Sequence, residues 1–275
     1  MKRRHMLGLL GTAPLGITLN GYTQSPEMTP PKRKYLVEAH RGNSGKAPEN
    51  TLASVQQAIQ IGADRVEVDL EYTADEQLIV LHDNSVDRTT NGTGKVAELT
   101  YPEIRKLDAG SWKAPEYAGE HVPLLAEIFE LCKGKTMVNI DLKNTQAVPK
   151  FVKLVKDMNM SEHLVMTGLI PQATPQIREL GENLTMFYES SESFHTKLNQ
   201  GNIDEAIRIA VTEARRLKLP GFLFKSDWVT PEVVYLAHRH GLAVNVWSVD
   251  THDRARQMFE AGVDAVMTDY PELFV

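Results

Sequence analysis

His40, His82, Glu67, Asp69 and Asp141 are the residues whose types and spacing could do chemistry. Arg65-Val66-Glu67-Val68-Asp69-Leu70 alternates with a period of two, so Glu67 and Asp69 share one face of a strand. In a sheet covered by helices, the Val/Leu face packs on the helices and the two acids point inward. Carboxylates about 7 Å apart on a buried face repel one another and are costly to desolvate. A divalent cation resolves both problems, and hard oxygen ligands suit Mg²⁺ or Ca²⁺. The alternative is an edge strand with both acids in water. Asn139-Ile140-Asp141-Leu142-Lys143 repeats the alternation, placing Asp141 and Lys143 on one inward face. Asp141 then completes a three-acid metal site. Arg41, the cation and Lys143 make a cationic pocket in a chain whose formal charge is −6. Such a pocket suits one phosphate group.

The histidines end two apolar runs. His40 follows residues 35–39, and His82 closes residues 77–82. The turn between Leu70 and Gln77 is too short for a parallel crossover, so the two runs form an antiparallel hairpin. Folding it about a centre near residues 75–76 brings His82 opposite Asp69. Two imidazoles converging on a carboxylate pair form an acid/base couple. Either imidazole can be the acid.

The elements that must position these groups follow the same rhythm. Asn50 is a good N-cap for a helix in which Leu52, Val55, Ala58 and Ile59 repeat at helical spacing, and Gly62 closes it. Strands are expected at 35–39, 65–70, 137–142, 163–167, 184–188, 221–224, 243–249 and 264–268, with amphipathic helices between most of them and 77–82 as an extra arm. Eight such units form a closed parallel (β/α)8 barrel over residues 35–275. Residues 83–124, rich in Gly, Thr, Asn and charges, interrupt it as an insertion with one short helix at 101–107. An open doubly wound sheet is the second fold. It does not explain why polar residues gather at the C-terminal ends of the strands: His40, Arg41, Glu67, Asp69, Asp141, Lys143, Glu189, Lys225, Trp247 and Asp269. Barrel chemistry lies on that rim. Trp247 either covers the mouth or belongs to the core.

Composition sets the outer bounds. A chain of 275 residues, 42% hydrophobic and 24% charged, buries a full globular core. The negative charge argues against a nucleic-acid surface. The single cysteine, Cys132, excludes an intrachain disulfide and a cysteine-rich zinc site. Residues 2–5 are basic, residues 6–19 are mostly apolar but too short to span a bilayer, and Pro, Ser, Thr and Gly then dominate to Pro31. Residues 1–34 are therefore expected to be a signal peptide and linker, with Arg3-Arg4 suggesting a twin-arginine signal. The mature protein is expected to be exported, periplasmic or secreted, without stable membrane insertion. A disordered or membrane-anchoring arm is the alternative.

His-Arg-Gly at 40–42, Pro-Glu-Asn-Thr at 48–51, Gly-Ala-Asp at 62–64 leading into Val-Glu-Val-Asp-Leu at 66–70, Val-Leu-His-Asp at 80–83 and Arg-Thr-Thr-Asn-Gly-Thr-Gly at 88–94 occur in an order and spacing that resembles the glycerophosphodiester phosphodiesterase family. The resemblance implies a barrel of that type, a capping subdomain at 83–124, and hydrolysis of glycerophosphodiesters to sn-glycerol 3-phosphate and an alcohol. It implies His40 and His82 as acid and base, Glu67, Asp69 and Asp141 around Ca²⁺ or Mg²⁺, and Arg41, Lys143 and Trp247 against the substrate. It also implies attack by the substrate's own glycerol hydroxyl, through a cyclic phosphate. The family usually carries Glu where this chain has Asp141, one methylene shorter. A related barrel acting on lysophospholipids or sphingolipids would want an apolar rim, and the insertion is mostly polar. A non-catalytic phosphodiester-binding barrel would show a damaged histidine pair or acid trio, and all five positions are filled.

Overall fold

The computed structural model describes residues 35–275. The expected signal peptide and linker lie outside the described residues. The chain runs β1 (Leu36–Ala39), α1 (Leu52–Ile61), β2 (Arg65–Tyr72), β3 (Leu78–Val80), α2 (Tyr101–Ile104), α3 (Leu125–Cys132), β4 (Met137–Leu142), α4 (Val148–Asp157), β5 (Leu164–Gly168) and α5 (Ile170–Glu179). It continues through β6 (Thr185–Met186), β7 (Tyr188–Glu189), α6 (Glu192–Asn199), α7 (Ile203–Arg216), β8 (Gly221–Lys225), α8 (Pro231–Arg239), β9 (Ala243–Trp247), α9 (His252–Ala261) and β10 (Ala265–Thr268). The sheet order is β6-β5-β4-β2-β1-β10-β9-β8-β7, with β3 as an arm on β2. The barrel strands pair in parallel, so this is the expected barrel.

The ring is nearly closed, and the gap falls inside one expected strand. Residues 184–188 split at Phe187: β6 pairs with β5, and β7 pairs with β8. Phe187 bridges the halves, its N–H donating to Met166 O at 2.9 Å. Its buried ring packs inside the barrel with Val165, Leu223 and Met267, and the Arg65 guanidinium lies 5.7 Å from the ring centre.

The alternation in β2 has the expected sense. Val66, Val68 and Leu70 join the main core with Val55 and Ala58 of α1 and Ile128 and Phe129 of α3. Glu67 and Asp69 face the other way and are still buried, each 1% exposed. An edge strand with its acids in water is thereby ruled out. Below them, polar groups fill the barrel interior as a paired layer. Arg65 Nε lies 3.4 Å from Glu38 Oε2, the Asn139 amide donates to Glu38, and Thr167 donates to Asn139 at 3.3 Å.

Three local expectations need correction. Thr51, not Asn50, caps α1: its side chain accepts from Ser54 N in a capping box. Asn50 sits in the left-handed region (φ 59°), which Asn tolerates. The arm is shorter than 77–82, because Val80 N turns away to bond Pro123 O. Its register pairs Leu70 with Val80 and Tyr72 with Leu78, centring the turn on Asp75. That shifts the expected alignment by one residue, so His82 lies past the strand end rather than opposite Asp69. The helix expected at 101–107 is only Tyr101–Ile104.

The insertion at 83–124 has a small core of its own. Val86, Val96, Ile104, Ala109 and Val122 are buried with Ile79 and Leu81 of the arm. It docks on the loop after β1 and on α1: Lys113 Nζ donates to Ser44 O at 2.6 Å, and Gln57 Nε2 donates to the Tyr117 hydroxyl at 2.9 Å. Among the described residues, no helix is long and apolar enough to cross a membrane.

Candidate active site

Register brings the acids together. β2 and β4 pair so that Asp69 stands beside Asp141 and Glu67 beside Asn139. One oxygen from each of Glu67, Asp69 and Asp141 lies within 4.8 Å of the others. Oδ1 of Asp141 is buried and accepts no hydrogen bond, and Oδ1 of Asp69 is buried with only the Lys143 ammonium beside it. Burial raises the Glu67 carboxyl well above its usual range, and the neighbouring charges of Asp69 and Asp141 push it further. Burial likewise raises Asp141, against the pull of Lys143. Burial also acts upward on Asp69, but Lys143 and Arg41 outweigh it and hold that carboxyl low. Three desolvated carboxylates, one of them with an unbonded oxygen, fit a hard divalent cation.

Gly168 shapes this cluster. It sits at φ 84°, and a Cβ there would meet Asp141 Oδ1 at 2.2 Å and Leu142 O at 2.6 Å. The bare backbone lets β5 approach the Asp141 carboxylate.

The two cations expected to hold phosphate are already paired with the acids. Arg41 lies between Glu49 (Nη1 to Oε1, 2.8 Å) and Asp69 (Nε to Oδ2, 3.3 Å). Lys143 Nζ lies 3.0 Å from Asp69 Oδ1 and 2.6 Å from Asp141 Oδ2. Burial alone would lower the Lys143 ammonium's pKa, but the two aspartates raise it, so it stays charged. The turn that carries Arg41 is tight: Arg41 has φ 53° and Gly42 φ 79°. A Cβ on Gly42 would strike Ser54, 2.5 Å from its backbone carbon. This turn also aims the Arg41 N–H at Glu67 Oε2, at 2.8 Å.

Each histidine is backed by a carboxylate. His40 Nδ1 lies 2.6 Å from Asp269 Oδ1, and its Nε2 lies 4.0 Å from Glu67 Oε2. His82 Nδ1 lies 2.7 Å from Asp83 Oδ1. A carboxylate at Nδ1 keeps a proton there and leaves Nε2 as the working nitrogen. The His82 ring lies within electrostatic reach of both Asp69 and Asp141. Asp269 also accepts from Ser44 Oγ at 3.0 Å. Asp83 is gripped by Arg88 at 2.6 Å, and Arg88 reaches across to Glu49 at 2.8 Å. That grip holds the Asp83 carboxyl down to about 2.

Trp247 shares the inward face of β9 with Ala243 and packs half-buried on the apolar plug around Phe187. Lys225 is paired with Asp227 at 2.9 Å. Residues 40–273 match the model of the glycerophosphoryl diester phosphodiesterase family.

The chain belongs to that family. Over 252 residues it is 34% identical to a glycerophosphodiester phosphodiesterase of Caldanaerobacter subterraneus, covering 88% of this chain and 97% of that protein. A phosphodiesterase of Oleispira antarctica, solved with its product sn-glycerol 3-phosphate, superposes with a TM-score of 0.74 at 27% identity, covering 86% of this chain and 94% of that one. A glycerophosphodiester phosphodiesterase of Agrobacterium tumefaciens also gives a TM-score of 0.74 at 27% identity, with 87% and 98% covered.

Five members of the site escaped the reading of residue types. Asp83 adjoins His82, and that adjacency was the available signal. Asp269 was visible as a rim residue but not as the partner of His40. Glu49 and Arg88 stood only inside the Pro-Glu-Asn-Thr and Arg-Thr-Thr-Asn-Gly-Thr-Gly motifs, with no role assigned to either. Asn50 looked like a cap, yet its amide donates to Asp69 Oδ2 at 2.7 Å and its carbonyl accepts from Asp69 N at 3.2 Å.

Proposed function

We propose that this phosphodiesterase-family enzyme hydrolyses glycerophosphodiesters to sn-glycerol 3-phosphate and an alcohol, using His40 and His82 as its acid and base. The observation that carries the reading is the convergence of two carboxylate-backed imidazoles on one buried three-acid cluster. Glu67, Asp69 and Asp141 would hold a divalent cation, Ca²⁺ or Mg²⁺, which when bound supplies charge neutralisation and polarisation of the phosphoryl oxygens. Arg41 and Lys143 exchange carboxylate partners for phosphoryl oxygens as the substrate enters, and their fixed positive charge meets the charge that develops there. Nε2 of one histidine takes the proton of the attacking hydroxyl. Nε2 of the other gives a proton to the departing alkoxide. The attacking hydroxyl is the substrate's own glycerol oxygen, so a cyclic phosphate forms first and water opens it. Trp247 walls the mouth against the organic part of the substrate.

The half-exposed mouth is rimmed by a mostly polar insertion, which favours water-soluble diesters over lysophospholipids or sphingolipids. A holding barrel without turnover is set aside by the enzyme family to which the chain belongs. The basic and then apolar start of the chain supports export. Mass spectrometry of protein from the native host should find a mature start between about residues 22 and 34; an intact leader in soluble cytoplasm would contradict it.

The deciding experiment incubates purified protein with glycerophosphodiesters, a lysophospholipid and a sphingolipid, with Ca²⁺, Mg²⁺ or chelator. Release of sn-glycerol 3-phosphate from the soluble diesters, dependent on a metal, is expected. Turnover confined to the lipid substrates would move the reading to the other class.

A further inference from the structure

A cavity of about 430 Å³ opens beside the acid cluster. Asp141 and Lys143 form its inner wall, and Glu189, Ser190, Ser191 and Gln172 line the rest of its polar surface. We infer that this cavity receives the leaving alcohol of the substrate, and that Glu189 makes it selective for alcohols bearing a primary ammonium group. The inference rests on the function proposed above and names its substrate class.

The charge in the cavity carries the argument. Glu189 ends β7, and its Oε1 accepts the Gly168 N–H at 3.3 Å. No ion pair joins it to a cation among the described residues. Lys143 is the one cation in the wall, and Asp69 and Asp141 already hold it at 3.0 and 2.6 Å. The neighbouring imidazole does not help: His195 hydrogen-bonds Ser190, and burial lowers its pKa, which favours the neutral ring. Glu189 therefore faces the cavity with no ion-pair partner of its own, sharing Lys143 at a distance with the two aspartates. Burial and the Asp141 charge push it up to about 7. A cation brought by the ligand relieves that penalty.

The kind of cation follows from the wall. A primary ammonium has three N–H donors and no acceptor. Glu189 offers a charged acceptor. Ser190 Oγ keeps a free lone pair whichever way its hydrogen bond with His195 runs. Ser191 Oγ, which accepts from Phe194 N at 3.2 Å, keeps one more. A quaternary ammonium makes no hydrogen bonds and is recognised by exposed aromatic faces. Tyr188 is the only aromatic residue of the lining and is 3% exposed. The cavity thus has acceptors for a primary ammonium and no cage for a quaternary one. Its inner wall is the pair of residues placed at the phosphate, so a diester seated there directs one ester arm into it.

The test measures kcat/KM at pH 8, where Glu189 is largely ionised, for the ethanolamine, choline and glycerol esters of sn-glycerol 3-phosphate. Wild-type enzyme should favour the ethanolamine ester over both others by about tenfold or more, the scale of one charged contact. Glu189→Gln, which keeps shape and removes charge, should shrink the ethanolamine-to-glycerol ratio by about tenfold, mainly through KM. Glu189→Lys should invert it. Thermal melts of each variant exclude misfolding. Equal losses on all three esters would put Glu189 in the chemistry and overturn the inference. So would an unchanged ratio, or choline matching ethanolamine. If no diester is hydrolysed at all, the proposed function fails instead. Calorimetric binding of the ethanolamine ester to wild type and Glu189→Gln still decides the pocket: comparable affinities would overturn it.

Discussion

At the scale of single residues, the acid/base pair depends on groups that never meet the substrate. His40→Ala and His82→Ala should each fold and lose at least ~10² in turnover, the usual scale for a general acid or base. Initial-rate kinetics on variants with normal melting curves would check this, and a near-wild-type rate in either would remove that histidine from the mechanism. Asp269→Asn and Asp83→Asn should cost on the order of 10- to 100-fold in turnover, the range for carboxylates that orient a ring, while metal affinity by calorimetry stays the same. Asp141→Asn should do the reverse first and weaken metal binding, since it keeps shape but loses charge. Asp141→Glu should retain substantial activity. The histidines and the acid trio were legible because each side chain sits in a strongly patterned run. Asp269 was not, because its partner lies 229 residues away and no periodicity links them.

At the scale of elements, parity was easy to read and registration was not. The face of Glu67, Asp69 and Asp141 follows from a period of two, which is local. The arm slipped by one residue because the turn that sets it is centred on Asp75, where Thr73 N bonds Gln77 O at 3.1 Å. The break at Phe187 was hidden because an inward aromatic in a short apolar run looks the same in a continuous strand. Gly168→Ala should destabilise by about 1–3 kcal/mol, because a strained left-handed residue gains a side chain where the carboxylate stands. The same variant should weaken metal binding. Normal stability with normal metal affinity would show that β5 can retreat. A second element-level test uses α8. His238 Nε2 lies 2.9 Å from Asp264 Oδ2, tying the helix to the residue before β10. That hydrogen bond raises the His238 pKa above 6.5. A raised histidine adds stability that is complete below the unfolded value of about 6.5 and fades as pH rises through the higher folded value. Denaturant midpoints should therefore fall above pH 6.5, and His238→Ala should flatten that part of the curve. A wild-type midpoint independent of pH there would contradict the coupling.

At the scale of the whole molecule, the barrel is a frame strained by its own site. Repulsion among Glu67, Asp69 and Asp141 opposes folding, so a bound divalent ion should raise the melting temperature. The shift should grow with the logarithm of ion concentration and vanish in Asp69→Asn. An unchanged melt with Ca²⁺ and with Mg²⁺ would separate the cluster from metal binding. The βα rhythm made the barrel legible from composition and period, whereas the docking of the insertion was not, because its Arg88, Lys113 and Tyr117 meet the barrel through tertiary contacts alone. One seam has a further consequence. β1 pairs with β10, and His40 meets Asp269 across that seam. A ribosome adding roughly 5–20 residues per second needs on the order of 10–50 s to travel from the first of these to the second. The arginines, the lysine and the acid trio are all made within that time, before His40 has its orienting partner. Phosphodiester cleavage should therefore switch on late and abruptly, when the final strand is free to pair with the first.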